Sequence, residues 1–169
     1  MILAVDVDYR GTTASVAGIA FQHWQDSEPT SIYQSQVDNI ADYVPGSFYK
    51  RELPCILTLL REHDLKPDVI MIDGYVYLDG KHQPGLGKHL YDALDGRTII
   101  IGVAKKPFRD ISDDFALYRG NSNTPLYVTA EGIGQNDAYQ AVQQMHGKYR
   151  NPTLLKQADR VCRRTELAD

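Results

Sequence analysis

Cysteine is scarce in this chain, with two residues, Cys55 and Cys162, among 169. They lie far apart and form no C-x-x-C spacing, which argues against a disulfide framework or a zinc knuckle. Two buried or idle thiols in a reducing cytoplasm are the expectation. Long apolar runs are also missing, since none approaches the roughly 18 residues that cross a bilayer. The opening Met1-Ile2-Leu3-Ala4-Val5 is apolar, yet Asp6 interrupts it and no basic stretch precedes it. Neither a signal peptide nor a membrane partner is expected. Positive charge is not in excess: 18 Lys and Arg stand against 22 Asp and Glu, a net −4. No global positive field therefore draws the chain onto nucleic acid. Thirteen Gly and eight Pro are ordinary usage and exclude fibrous and low-complexity classes.

What is present suits one compact α/β domain over residues 1–169, with 43% hydrophobic and 24% charged content. A chain of this length buries about two-thirds of its unfolded surface. Ala4-Val5-Asp6-Val7-Asp8-Tyr9 reads as a strand with Asp6 and Asp8 on one face. Gly11 makes a turn, Thr12–Phe21 reads as a second, antiparallel strand, and Ser31–Val37 as a third. Ser47 is placed to cap a helix over Phe48–His63, within which Pro54 costs one backbone hydrogen bond or ends the first turn. Val69-Ile70-Met71-Ile72 is a continuous apolar run, the pattern of a central buried strand, and Asp73 ends it. Asp79-Gly80 signals a small hairpin. A helix over Lys88–Leu94, strands over Thr98–Ala104 and Leu126–Thr129, and helices over Asp137–His146 and Pro152–Arg164 complete the chain. This order predicts a ribonuclease H-like mixed sheet, its first three strands antiparallel and the later ones parallel, flanked by helices.

Three carboxylates stand out by position. Asp6 lies in the first strand, Glu52 on the first helix and Asp73 at the end of the central strand, and that topology brings the three places together. Such a cluster suits Mg²⁺ or Mn²⁺, which prefer oxygen ligands and assist phosphodiester hydrolysis. The plainer reading makes Glu52 a solvated helix residue and Asp73 the start of a turn. An acid closing a buried strand needs a partner such as a cation, and spacing alone leaves both readings open. Lys105 and Lys106 follow another buried strand and fit either a solvated strand exit or a contact to a scissile phosphate.

Four blocks resemble the endonuclease V family. Tyr43-Val44-Pro45-Gly46-Ser47-Phe48-Tyr49-Lys50-Arg51-Glu52-Leu53-Pro54 is similar to its Tyr-containing wedge and Arg-Glu-x-Pro helix. Pro67-Asp68-Val69-Ile70-Met71-Ile72-Asp73-Gly74 resembles its Pro-Asp-(apolar)-Asp-Gly strand. Ile101-Gly102-Val103-Ala104-Lys105-Lys106 resembles its Gly-Val-Ala-Lys block, and Ala4–Tyr9 its first strand. Tyr149-Arg150 and Gln157-Ala158-Asp159 fit its closing segments. The resemblance implies a Mg²⁺-dependent endonuclease of DNA repair, acting in the cytoplasm as a monomer. Its substrate would be DNA, or RNA for some members, cut 3′ to deaminated adenine. It further implies Asp6, Glu52 and Asp73 as metal carboxylates, Lys105 near the scissile phosphate, and Tyr43, Val44 and Pro45 as the wedge replacing an extruded base. Tyr43 packed on its own turn is the ordinary alternative.

Three departures accompany the resemblance. Residues 74–84 differ from the family's pocket segment, which here keeps Gly74 and regains the pattern at Gly85-Leu86-Gly87-Lys88-His89, with His89 on the pocket side. The family's late Thr-Gly-His matches Thr129-Ala130-Glu131, so Glu131 is either a further metal ligand or a loop carboxylate. The family's leading helix is unmatched, which implies a trimmed substrate groove. A nucleic-acid-binding module without efficient cleavage, or a nuclease for structured or single strands, are the competing functions. The tail offers Lys148, Arg150, Lys156, Arg160, Arg163 and Arg164 against Asp159, Glu166 and Asp169, a basic surface or a solvated helix.

Overall fold

A computed structural model describes residues 1–45 and 47–164; Gly46 of the wedge block and Glu166 and Asp169 of the tail lie outside the described residues. Seven strands form one sheet in the order β3-β2-β1-β4-β5-β7-β6. β1 (Ile2–Arg10), β2 (Thr13–Phe21) and β3 (Ser31–Val37) pair antiparallel. β4 (Val69–Asp73) runs parallel to β1, and β5 (Ile99–Ala104) parallel to β4. β7 (Leu126–Glu131) returns antiparallel to β5 and carries β6 (Ala116–Leu117) on its outer edge. The sheet is the expected ribonuclease H-like mixed arrangement, with its parallel part confined to β1, β4 and β5.

Alternation along the central strands decides which layer each side chain joins. Leu3, Val5, Ile70 and Ile72 pack under α1 (Tyr49–Glu62) and α2 (Leu86–Ala93), among Ile56, Leu59 and Leu90. Ile2, Ala4, Val69 and Met71 face the other way, toward α3 (Gln135–Gln143) and α4 (Thr153–Cys162). α4 buries Leu154, Ala158, Val161 and Cys162, an i, i+4, i+7, i+8 stripe lying on β1 and β2. Each fully buried aliphatic side chain contributes about 1.5–3 kcal/mol. Asp6 and Asp73 continue the second set by parity, so both face the α4 layer.

Local details differ from the sequence reading in physically clear ways. Ser47 does not cap α1 with its side chain. Phe48, already helical in backbone, precedes the helix, and the carbonyls of Ser47 and Phe48 accept from the amides of Lys50 and Arg51 in a tight first turn. Pro54 sits inside α1 on an exposed side, where the carbonyl it leaves unpaired meets water. The hairpin at Asp79-Gly80 is a single bridge, Tyr77 to Pro84, closed by Asp79 Oδ1 accepting from the amides of Lys81, His82 and Gln83. Both cysteines are free and buried. Among the described residues, no helix is long and apolar enough to cross a membrane.

The crossing of residues 74–76 over β5 demands a glycine in the sheet. A Cβ on Gly102 would lie 2.5 Å from the Gly74 carbonyl oxygen and 2.9 Å from Thr129 Oγ1. Thr129 Oγ1 in turn accepts from the Val76 amide at 2.8 Å. Gly74 itself, with φ +145°, turns the chain sharply just after Asp73. Gly102→Ala is expected to cost about 2–4 kcal/mol, the range of overpacking and strain combined. Urea unfolding measures it, and a loss below about 0.5 kcal/mol, the size of an ordinary surface change, would contradict this packing.

Candidate functional site

The site lies midway along β1, just past its pairing with β4 and at the end of β4. Register Ala4 to Met71 carries on to set Asp6 beside Asp73, side by side on the α4 face. Asp6 is 8% exposed and Glu52 5%, both deep for acids. Glu52 comes from the first turn of α1, in the opposite layer, close enough that the charges of Asp6 and Asp73 both act on it. From α4, Asp159 brings a carboxylate oxygen to Asp6, and with Cys162 Sγ these three ligand atoms lie within 4.8 Å of one another. Asp73 faces Lys105, whose Nζ is 3.8 Å from Oδ2.

Neighbouring acids show what is unusual here. Asp8, two residues along β1, is served by Arg10 Nε at 2.9 Å and Arg163 Nη1 at 3.9 Å. Among the described residues, Asp6 accepts a hydrogen bond from the amide of Val7 alone, at 2.9 Å. Burial, and then the charge of Asp73, push the Asp6 carboxyl up to about 7. Burial, then Asp6 and Asp73, hold Glu52 well above the carboxylate range, against the pull of Arg51. Crowded surroundings raise Asp73 too, opposed by Lys105. Glu52 Oε2 is buried with no hydrogen-bond partner. Such an orphan normally costs about 1–3 kcal/mol, and more when charged. Protonation or a cation is what relieves it.

The donor set fits a hard divalent cation. Asp6, Glu52, Asp73 and Asp159 offer oxygens, the preference of Mg²⁺ and Mn²⁺. Cys162 is less suited: its thiol donates to the Asp159 carbonyl at 3.1 Å, and burial pushes its pKa up, keeping it protonated. A cavity of about 20 Å³ opens among Asp6, Asp73, Lys105 and Asn151, space for one ion or water.

Lys105 is held by groups the sequence reading did not single out. The Tyr75 hydroxyl donates to the Lys106 carbonyl at 2.6 Å and accepts from the Phe108 amide at 3.1 Å. Burial pushes that hydroxyl up to about 12, so it stays a donor at neutral pH. Arg150 Nη1 donates to the Lys105 carbonyl at 3.0 Å. Together they pin the chain on both sides of the ammonium.

A second, larger cavity of about 300 Å³ begins at Gly74, the residue after Asp73. Tyr43, Phe48, Tyr49, Tyr75 and Phe108 line it, so its walls are largely aromatic. Tyr43 is 54% exposed and Val44 51%; Pro45 is exposed as well, and the Tyr43 ring meets Phe48 edge-on at 6.3 Å. All three stand clear of the core, and Tyr43 lines the cavity. His89 lies behind the wall, its ring stacked on Tyr49 with centroids 3.6 Å apart.

Of the expected site residues, the structure gathers Asp6, Glu52, Asp73 and Lys105, and sets Tyr43 and Gly74 in the neighbouring aromatic cavity, while Val44 and Pro45 are exposed and do not line it. It does not bring Glu131. β7 is antiparallel to β5, so Glu131 pairs with Ile100 while Asp73 pairs with Val103. That offset is three positions, about 10 Å along the strands. Glu131 Oε2 instead accepts from the Tyr77 hydroxyl at 2.6 Å. Asp159 occupies the fourth corner, and its signal was the Gln157-Ala158-Asp159 block one turn before the helix end.

The raised Asp6 carboxyl makes metal-free stability depend on pH. Between its unfolded value of 3.8 and its folded value of about 7, the folded state holds the extra proton, so stability falls as pH rises through that window. At about 1.4 kcal/mol per unit, the effect is bounded near 4 kcal/mol. In EDTA, the melting temperature is expected to be several degrees higher at pH 5 than at pH 8. Mg²⁺ restores the loss at pH 8, and Asp6→Asn flattens the profile. A melting temperature that rises across the window would contradict the crowding.

The endonuclease V family model matches residues 1–134. Endonuclease V of Streptomyces coelicolor is 40% identical over 93 residues, covering 55% of this chain and 38% of that protein. The Streptomyces avermitilis protein is 32% identical over 146 residues, covering 72% and 61%. The chain thus spans less than two-thirds of these relatives' length. The crystal structure of the Streptomyces avermitilis endonuclease V superposes with a TM-score of 0.77 at 25% identity, over 96% of this chain and 79% of that one. The same fold, with a TM-score of 0.77 at 18% identity, occurs in Ciona intestinalis endonuclease V, over 96% of this chain and 84% of that one. That structure holds a 24mer DNA containing an inosine followed by a ribo-adenosine. The family model covers most of the chain and the sheet matches that of the endonuclease V structures, so the chain belongs to the endonuclease V family.

Proposed function

We propose that the chain is a divalent-cation-dependent endonuclease that hydrolyses a DNA phosphodiester 3′ to deoxyinosine. The observation that carries this reading is the orphaned Glu52 oxygen among Asp6, Asp73 and Asp159, with Lys105 opposite. In this reading the chain works as one domain and a monomer, in cytoplasmic repair of deaminated adenine.

Asp6, Glu52, Asp73 and Asp159 would hold Mg²⁺, with Mn²⁺ as a substitute. A cation bound there supplies the Lewis acidity that neutralises charge developing on the phosphate. Lys105 binds a phosphate oxygen, and its anchored backbone fixes where the ammonium points. Asp73 lies 3.8 Å from that ammonium and places it beside the carboxylates. Tyr43, Val44 and Pro45 fill the stack when a base leaves it, and the aromatic cavity at Gly74 receives that base. His89 braces the Tyr49 wall.

The cavity also supports a second reading, a nuclease for undamaged single or structured strands. Aromatic walls stack on every base, and the Tyr75 hydroxyl is already committed to backbone.

A labelled duplex with one deoxyinosine, incubated with Mg²⁺ or Mn²⁺, separates these readings. Cleavage near the inosine is expected, lowered at least about 100-fold by Asp73→Asn or Asp159→Asn, a loss near 2.7 kcal/mol of barrier. Lys105→Ala is expected to lower it by a similar factor, as for other preorganised charge donors. Tyr43→Ala should lower preference for the inosine duplex while sparing the melting temperature. Equal cleavage of undamaged strands would favour the second reading, and binding without cleavage under either metal would overturn both.

A further inference from the structure

Tyr149 is 59% exposed and belongs to none of the apolar clusters. Two ammonium groups bracket its ring: Lys156 Nζ at 4.8 Å and Lys148 Nζ at 5.5 Å from the centroid. The loop that presents it is firmly built. Arg119, only 4% exposed, donates to the carbonyls of Met145, Gly147, Tyr149 and Arg150 at 2.6–3.1 Å. His146 closes the loop onto α4, its carbonyl accepting from the Thr153 amide at 2.9 Å. A buried arginine spent on backbone carbonyls fixes the loop's shape, and what that shape displays is an aromatic face with two cations.

The loop is also continuous with the carboxylate site. Arg150 ties it to the Lys105 carbonyl, and Asn151 lines the small cavity with Asp6, Asp73 and Lys105. On α4, Lys156 lies three residues before Asp159, about 5–6 Å away on one side of the helix. A strand whose phosphate rests on Lys105 would therefore meet Tyr149 within a nucleotide or two.

We propose that Tyr149, between Lys148 and Lys156, is a stacking platform for a base in the single-stranded flank of the substrate, leading away from the scissile phosphate. It rests on the nuclease reading for that phosphate's position, while the platform's binding chemistry stands without metal. The ring stacks on a base of any identity, and the lysines pair with the flanking phosphates.

The test is binding of a fluorescent, undamaged oligothymidylate of about 12 nucleotides to the full chain in EDTA, read by anisotropy. Tyr149→Ala is expected to weaken binding about ten-fold, and Tyr149→Phe to stay within about two-fold, since stacking needs the ring and not the hydroxyl. Replacing both lysines by alanine should reduce the salt slope by about 1.4, the counterions of two single-strand phosphates. Melting temperatures near wild type confirm that each variant folds. Unchanged binding by Tyr149→Ala, or an equal loss in Tyr149→Phe, overturns the platform. If the wild type shows this pattern yet cleaves no oligonucleotide with Mg²⁺ or Mn²⁺, the nuclease reading fails and the platform stands. Cleavage with unchanged Tyr149→Ala binding removes the platform alone.

Discussion

Carboxyl groups crowded together where β1 and β4 cease to pair, with too few cations to balance them, are the constraint on which this molecule depends. Asp6 and Asp73 are side by side because β1 and β4 are parallel neighbours, and Glu52 and Asp159 arrive from opposite helical layers. Burying one unpaired carboxylate is costly, and burying several together is more so. The fold could have neutralised Asp6 as it neutralised Asp8, with arginines from β1 and the end of α4. Arg163 reaches Asp8 and Asp159, yet no arginine reaches Asp6 or the inner oxygen of Glu52. That selective omission is what supports the proposed cation site over a salt-bridge network.

Opposite this cluster the structure spends much of its hydrogen bonding on backbone carbonyls. Tyr75 holds the Lys106 carbonyl, Arg150 those of Lys105 and Pro125, and Arg119 four more in the loop before α4. A charge placed by such anchors needs little reorganisation when a phosphate arrives. The same anchors join the two halves of the rim, since Arg150 spans from the exit of β5 to the loop that carries Tyr149.

Much of this was legible in sequence, for reasons that can be given residue by residue. Strand alternation set Asp6 and Asp8 on one face, and the apolar run ending at Asp73 marked a central strand with an acid at its carboxyl end. Short-range patterns of this kind survive because tertiary packing reinforces them. Asp159 was quoted in a family block but given no role, because helix periodicity does not say which layer a polar residue meets. Glu131 was drawn toward the metal by its place after Thr129, and the antiparallel return of β7 carried it to the far edge. The Ser47 cap failed because Phe48 continues a tight turn, a backbone choice with no side-chain signature. Arg119 looked like any surface arginine until the loop folded round it.

Net charge, at −4, gave the least guidance, because the sign that matters is local. On the proposed reading, a polyanion approaching this site meets carboxylates that repel it, so productive contact at the scissile phosphate would be linked to occupancy by a cation. The rim differs, carrying Lys148 and Lys156 around an exposed ring. Grip on the strand and chemistry on it can therefore be separately supplied, the first by fixed side chains and the second only with metal. On the proposed reading, a chain with an acidic total would hold nucleic acid at its edge while its centre awaits the ion that reverses the field.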